Sequence, residues 1–376
     1  MPLIEHAGPA PETCATRMVG AGVCVAIPAK DEEERIGACL AALEAQAGAE
    51  KFSVLVLANN CEDQTPDLVR TLGRASRLDV HLYEATFRNC ATPAARARRL
   101  CTNAAAALVG HDGVVLTTDA DSRVDPNWVR ANLRTLRDGA DLVCGAISPD
   151  LWDAGSAFPE RVLQRGVLEF HYEQLAAELE YRLDPTPWDP WPHHRCETGA
   201  SIALMAGTLA RVGGVPEVEP GEDRALVNTI RAQGGRIRHA PDVKVVTSCR
   251  LDGRARGGWA DDLRERVANP AAPCHDILEP TLGLAKRARL RGQMRAVWPS
   301  FNAGEWAERL RVDRDAVHEA ASLPSFGAAW TLLETLSPRL VRERLQIAAL
   351  PRETAIAARI LNQVRVLERA PALAER

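Results

Sequence analysis

The sequence has no strong charge of either sign, no paired cysteines, no long apolar run and no internal repeat. Each absence narrows what the chain can be. Its formal net charge is −4, which excludes the general attraction to nucleic acid that a strongly basic chain shows. Its ten cysteines form no CxxC pair and no regular spacing, so neither a zinc ribbon nor a disulfide framework is expected, and scattered thiols of this kind fit a reducing compartment. No window reaches the ~18 uninterrupted apolar residues of a membrane span. The first twenty residues have neither a basic n-region nor an apolar h-region, so residues 1–19 are read as a flexible tail and the protein as cytoplasmic. No glycine fingerprint follows a strand, because Gly20-Ala-Gly22 precedes the first one, and this excludes a dinucleotide-dependent oxidoreductase. A glycine-rich phosphate loop with a basic residue near the N-terminus is also missing, which counts against a nucleotidyltransferase.

What is present is a chain of 376 residues, 46% hydrophobic, long enough for one large α/β domain and a smaller region. Strand-length apolar runs (VCVAIP, FSVLVLANN, LDVHLYEA, GVVLTTDAD, ADLVCGAIS) alternate with helical segments from about residue 20 to 150. That alternation predicts an open, mainly parallel sheet with helices on both faces. Ligands bind such sheets beyond the carboxyl ends of the strands, and Ile27, Asn59 and Asp119 all fall there. Residues 150–198 break the pattern with a long helix and the loop PTPWDPWPHHRCE. The α/β texture then returns through TGASIAL, a helix opening with GEDRAL, and a strand in RIRHAPDVKVVTSCR. Beyond residue 258 the chain is helical and rich in arginine. Its amphipathic segment near the end fits packing on its own protein, a homodimer interface or a peripheral membrane contact.

The stretch LTTDADSRVDP places Asp119 and Asp121 two positions apart at a strand end. Two like charges so close must be compensated if buried. By itself the pair fits either a polar turn or a site for a hard divalent cation, Mg²⁺ or Mn²⁺, shared with substrate phosphates. Glu222 and Asp223 similarly fit a helix N-terminus or a working acidic pair. In the loop at 185–197, His193, His194, Cys196 and Glu197 raise the thought of zinc, but adjacent histidines are poor partners for one ion.

The order of these parts (IPAKDEEE, LANNCEDQT, ARARR, DADS, TGAS, GEDRAL) resembles the family 2 glycosyltransferases of GT-A fold, over roughly residues 20–258. The resemblance implies a nucleotide-sugar-dependent hexosyltransferase: a 20–258 catalytic domain, a 150–198 insertion on the acceptor side, and a 259–376 helical region. It implies a nucleotide-sugar site at Pro28, Ala29, Glu32, Asn59, Arg98, Asp119, Arg250 and Arg254, with Asp121 as metal ligand. Asp223, supported by Glu222, would be the general base of an inverting transfer to an acceptor hydroxyl. Trp188, Trp191, His193, His194, Gly199, Ala200 and Ser201 would shape the acceptor pocket. Three departures stand out. Lys30 and Asp31 replace the family's aromatic–Asn pair. Asn59 and Asn60 stand where an Asp usually reads the base. No histidine lies in residues 245–259, where many relatives carry a metal ligand. These departures leave a non-catalytic sugar-nucleotide-binding protein as the alternative, and a retaining outcome is also open.

Overall fold

A computed structural model describes residues 22–88, 90–150 and 158–374, with side chains up to residue 368. The expected tail at 1–19 lies outside the described residues. In chain order the elements are β1 (Val23–Ala29), α1 (Ile36–Glu44), β2 (Ser53–Asn59), α2 (Thr65–Ala75), β3 (Asp79–Ala85), α3 (Pro93–Val109), β4 (Val114–Thr117), β5 (Ser122–Val124), α4 (Trp128–Arg137), β6 (Leu142–Asp150), α5 (Glu160–Leu183), β7 (Ile202–Met205), α6 (Ala206–Arg211), α7 (Glu222–Ala232), β8 (Ile237–Ser248), α8 (Trp259–Ala268), α9 (Thr281–Val297), α10 (Ala303–Leu310), α11 (Arg314–Ser322), α12 (Phe326–Leu336) and α13 (Leu350–Ala374). They group into two compact units.

The first unit comprises residues 22–150, 196–230 and 236–264 and holds one eight-stranded sheet of order β3-β2-β1-β4-β7-β6-β8-β5. β1 pairs in parallel with both β2 and β4, and β2 with β3. β7 enters antiparallel between β4 and β6, β6 runs parallel to β8, and the three-residue β5 closes the edge antiparallel to β8. The alternating pattern of the sequence therefore yields the mainly parallel α/β sheet it predicts. Period-2 burial sends Val25, Ile27, Val54 and Val56 to one face, where they pack with Ile36, Leu43, Trp128 and Leu133 of α1 and α4. Cys24, Ala26, Leu55 and Leu57 face the other way, against α3 and α7 through Ala97, Cys101, Val227 and Ile230. Helices thus cover both faces, which is what a parallel sheet buried on two sides requires.

Two stretches whose residues suit a helix start, the acidic run Asp31–Glu34 and the pair Asp125-Pro126, form turns instead. The acidic run Asp31–Glu34 precedes α1 instead of forming its first turn, since the helix starts at Ile36. It builds a turn knotted to the β2–α2 loop: the Glu32 N–H donates to Thr65 Oγ1 at 2.7 Å, the Glu33 N–H to Asp63 at 3.0 Å, and Asp31 accepts from the Glu62 N–H at 2.7 Å. Asp125 and Pro126 likewise form a turn before α4, with Asp125 Oδ1 accepting from the Asn127 N–H at 2.9 Å.

The second unit comprises residues 158–195, 231–235 and 265–374 and is helical. One core packs Tyr172, Ala176 and Leu179 of α5 against Leu284 and against Leu350, Ala357 and Leu361 of α13. Another gathers Met294, Trp306, Leu310, Val317, Trp330 and Leu333 of α9 to α12. The amphipathic end segment thus packs on its own chain, while Val366 and Leu367 remain exposed. Among the described residues no helix is long and apolar enough to cross a membrane, and the nine cysteines are free thiols.

Candidate functional site: an arginine-bridged carboxylate rim

Parallel strands deliver their carboxyl ends to one rim, and the reversed β7 delivers its amino end to the same place. Thr117 at the end of β4 pairs with Ile202 at the start of β7. Asp119 and the TGAS turn (Gly199–Ser201) are therefore neighbours although eighty residues apart. Arg98, projecting from α3, ties them together. Its Nη2 donates to Asp119 Oδ1 at 2.8 Å, its Nε to Glu222 Oε1 at 2.8 Å and its Nη1 to the Gly199 carbonyl at 3.2 Å. Burial disfavours the guanidinium charge, but Asp119 and Glu222 outweigh it and hold the Arg98 pKa above its ordinary value. The arginine is engaged on both sides by protein, which the sequence does not reveal.

Gly199 is dictated by this contact, because a Cβ there would lie 2.2 Å from Arg98 Cζ. Its carbonyl also accepts from Thr117 Oγ1 at 2.7 Å, and its N–H donates to Asp223 Oδ2 at 2.9 Å. Asp223 Oδ1 accepts from the Arg224 N–H at 2.7 Å. Burial and the adjacent Glu222 carboxylate raise the Asp223 pKa, against the opposing pull of Arg98 and the two N–H groups. Ala200 and Ser201 are buried, and Ser201 Oγ accepts from Trp128 Nε1 at 2.8 Å.

Asp121 is held by a second arginine. β5 begins immediately after it and pairs with the end of β8, where Ser122 sits opposite Thr247, so the residues following β8 reach back to the aspartate. Arg250 Nη2 lies 3.2 Å from Asp121 Oδ2. The same guanidinium grips Glu32 in a bidentate pair, Nη1 to Oε2 at 2.7 Å and Nη2 to Oε1. The Asp121 carboxyl is pushed up to about 7 by burial first, then by Asp119 and Glu32, with Arg250 opposing. Glu32 is raised by burial, again against Arg250. The charge conflict of the Asp-x-Asp pair is thus met inside the protein by two arginines, one per aspartate. Glu32 and Asp121, which meet at Arg250, offer hard carboxylate oxygens, the donor type that Mg²⁺ or Mn²⁺ prefers and a soft ion does not.

Asn60 has a left-handed φ of 49° and clamps the rim loop. Its Nδ2 donates to the Phe87 carbonyl and its Oδ1 accepts from the Phe87 N–H, both at 3.1 Å. Asn59, Pro28 and Ala29 close the ends of β2 and β1, Asn59 buried and Pro28 half-buried. Arg254 is exposed and donates through Nε to the Asp31 carbonyl at 3.2 Å. In the second unit the aromatic loop forms a cluster of its own. His193 packs edge-on against Trp191 and Tyr181, His194 is buried, and Trp188 is exposed.

Comparison with known proteins follows this geometry. Residues 24–180 match the family model described as glycosyl transferase family 2. Comparison with curated proteins finds no match. Among solved structures, TarS residues 1–349 from S. aureus, crystallised with UDP-GlcNAc, is 14% identical, covering 84% of this chain and 91% of that one at a TM-score of 0.45. The mannosyltransferase PcManGT from Pyrobaculum calidifontis, in complex with GDP-Man and Mn²⁺, is 17% identical, covering 87% and 90% at a TM-score of 0.43. The arginine-bridged Asp119 and Asp121 lie inside the matched segment, at one rim of the mainly parallel sheet, and over residues 24–180 the chain is similar to glycosyl transferase family 2.

Proposed function

We propose that the protein transfers a sugar, a hexose by the family resemblance, from a nucleoside diphosphate donor to an acceptor hydroxyl, with inversion at the anomeric carbon and with Asp223 as general base. One observation carries this reading: Asp119, Asp121, Glu222 and Asp223 share one rim of the sheet, linked through Arg98, Gly199 and the neighbouring Arg250–Glu32 pair. Each part has a task. Asp119, oriented by Arg98, faces the donor's ribose and sugar. Asp121, with Glu32 beside it, would hold a divalent cation, which when bound stabilises the leaving diphosphate as a Lewis acid. Arg250 and Arg254 suit the phosphates, and Asn59 and Pro28–Ala29 flank the nucleotide.

Asp223 keeps a lone pair free on each oxygen beyond the two N–H groups it accepts. As the acceptor oxygen bonds to the anomeric carbon, the carbon–oxygen bond to the diphosphate breaks, and the hydroxyl proton passes to Asp223. Its raised pKa makes it a better base than an exposed aspartate. Trp188, Trp191 and His193 of the aromatic loop suit an acceptor ring. The domain division, 20–258 catalytic and 259–376 helical with 150–198 serving the acceptor, belongs to this reading, as do the cytoplasmic location and a homodimer.

The test is direct. Thermal-shift screening of UDP, GDP, dTDP and their sugars with Mg²⁺ or Mn²⁺ should find one nucleotide that stabilises the protein, and Asp223→Asn should then lower turnover by about 10²–10⁴-fold while donor binding persists. Donor binding with no wild-type turnover on any acceptor would instead favour the non-catalytic reading.

A further inference from the structure

Arg250 is placed where one nitrogen serves two acids from different loops. Its Nη2 reaches both Glu32 Oε1 and Asp121 Oδ2, and the guanidinium is largely buried, with its side chain 12% exposed. A buried cation between two carboxylates does the electrostatic work of a metal ion. Its backbone, by contrast, is fixed independently: the Arg250 N–H donates to Ser248 Oγ at 3.1 Å, just past the β5–β8 pairing. The side chain can therefore leave the carboxylates without unmaking the strand that carries it. The late segment 245–259 supplies arginines and no histidine, so the residue nearest Asp121 from this side is a competitor of a metal and not a ligand for it.

We propose that Arg250 is the resident counter-ion of the unloaded site. It yields Asp121 and Glu32 to an incoming divalent cation, and its guanidinium then passes to the diphosphate. The inference rests on the reading of Asp121 as a cation ligand. Because the arginine and the metal exclude each other at the carboxylates, while the displaced arginine favours an anion, metal and diphosphate binding must help each other, reciprocally.

The experiment uses the full chain and Mn²⁺ alone, with free Mn²⁺ read by electron paramagnetic resonance and folding read by circular dichroism. Arg250→Ala should bind Mn²⁺ about tenfold more tightly than wild type, a size usual for such couplings. Arg250→Lys, which keeps the charge, should stay near wild type. Adding Asp121→Asn to Arg250→Ala should abolish the gain. Arg250→Gln carries the same expectation as Arg250→Ala should the latter fail to fold. Equal or weaker Mn²⁺ binding after the arginine is removed overturns the inference, as does a gain that survives Asp121→Asn. Since no nucleotide is present, these outcomes are independent of the turnover assay that tests glycosyl transfer.

Discussion

Asp121 weakens the fold that carries it. Its carboxyl holds a proton up to about 7 in the folded chain, whereas an unfolded aspartate releases it near ~3.9. The folded state thus binds more protons between those values, so stability falls as pH rises through that window and is lowest above it. Asp121→Asn removes the penalty and should melt higher than wild type at pH 8, with the gain shrinking toward pH 5. Equal melting temperatures at pH 8 would contradict the assignment. Gly199 is the opposite case, a residue with no latitude. The Cβ of Gly199→Ala, 2.2 Å from Arg98 Cζ, must expel the guanidinium from between Asp119 and Glu222. A loss of about 1–3 kcal/mol in stability is expected from such overpacking, with a fall in turnover, measurable by urea titration and a donor-consumption assay.

At the scale of elements, the loop after β2 stands on one side chain. Asn60 combines a left-handed backbone with two hydrogen bonds to Phe87. Asn60→Ala should cost about 1–3 kcal/mol, because the Phe87 amide and carbonyl lose their partner and alanine resists positive φ. Asn60→Gly should recover only the backbone part, and chemical denaturation of the two variants separates the terms. The strands and helices of the sheet were legible because each is long enough to show its period: VCVAIP and SVLVLA are buried on both sides, and TPAARARR opens with a proline suited to a helix start. β5 was not legible. Ser-Arg-Val is too short to carry a period, and only its pairing with β8 makes it a strand. That pairing is what brings Arg250 to Asp121, so the second arginine bridge was hidden with it. Arg98 was legible as a site residue by resemblance, yet its engagement by Glu222 and Gly199 depends on the reversal of β7, which no local pattern announces. The acidic turn at Asp31–Glu34 reads as a helix start because carboxylates favour both settings, and the distant partners Asp63 and Thr65 decide between them.

Across the whole molecule, arginines bridge buried acids in both units, beside the apolar cores. Within the second unit Asp184, its side chain fully buried, receives Arg295 through Nε at 2.9 Å and Nη2 at 3.0 Å, and Arg291 as well. Glu169 lies between Arg165 at 2.7 Å and Arg266 at 2.9 Å. Removing one member of such a set leaves buried charge uncompensated, which costs about 3–5 kcal/mol. Asp184→Ala should therefore loosen α5 and α9 together, seen as faster amide hydrogen exchange in both helices. Exchange confined to one of them would show that the arginines are held by something else.

The antiparallel insertion of β7 has a practical corollary for anyone labelling the protein. That reversal brings the Gly199 turn beside Asp119 at one rim, so the opposite rim lies a strand length away from these residues. There the turn between α3 and β4 exposes His111 and Asp112, with side chains 81% and 90% accessible. A fluorophore or short peptide tag spliced between them would report on the protein from the far end of the sheet, as exposed turns of small and polar residues tolerate insertion. The tagged chain should bind Mn²⁺ and nucleotide as the untagged one does.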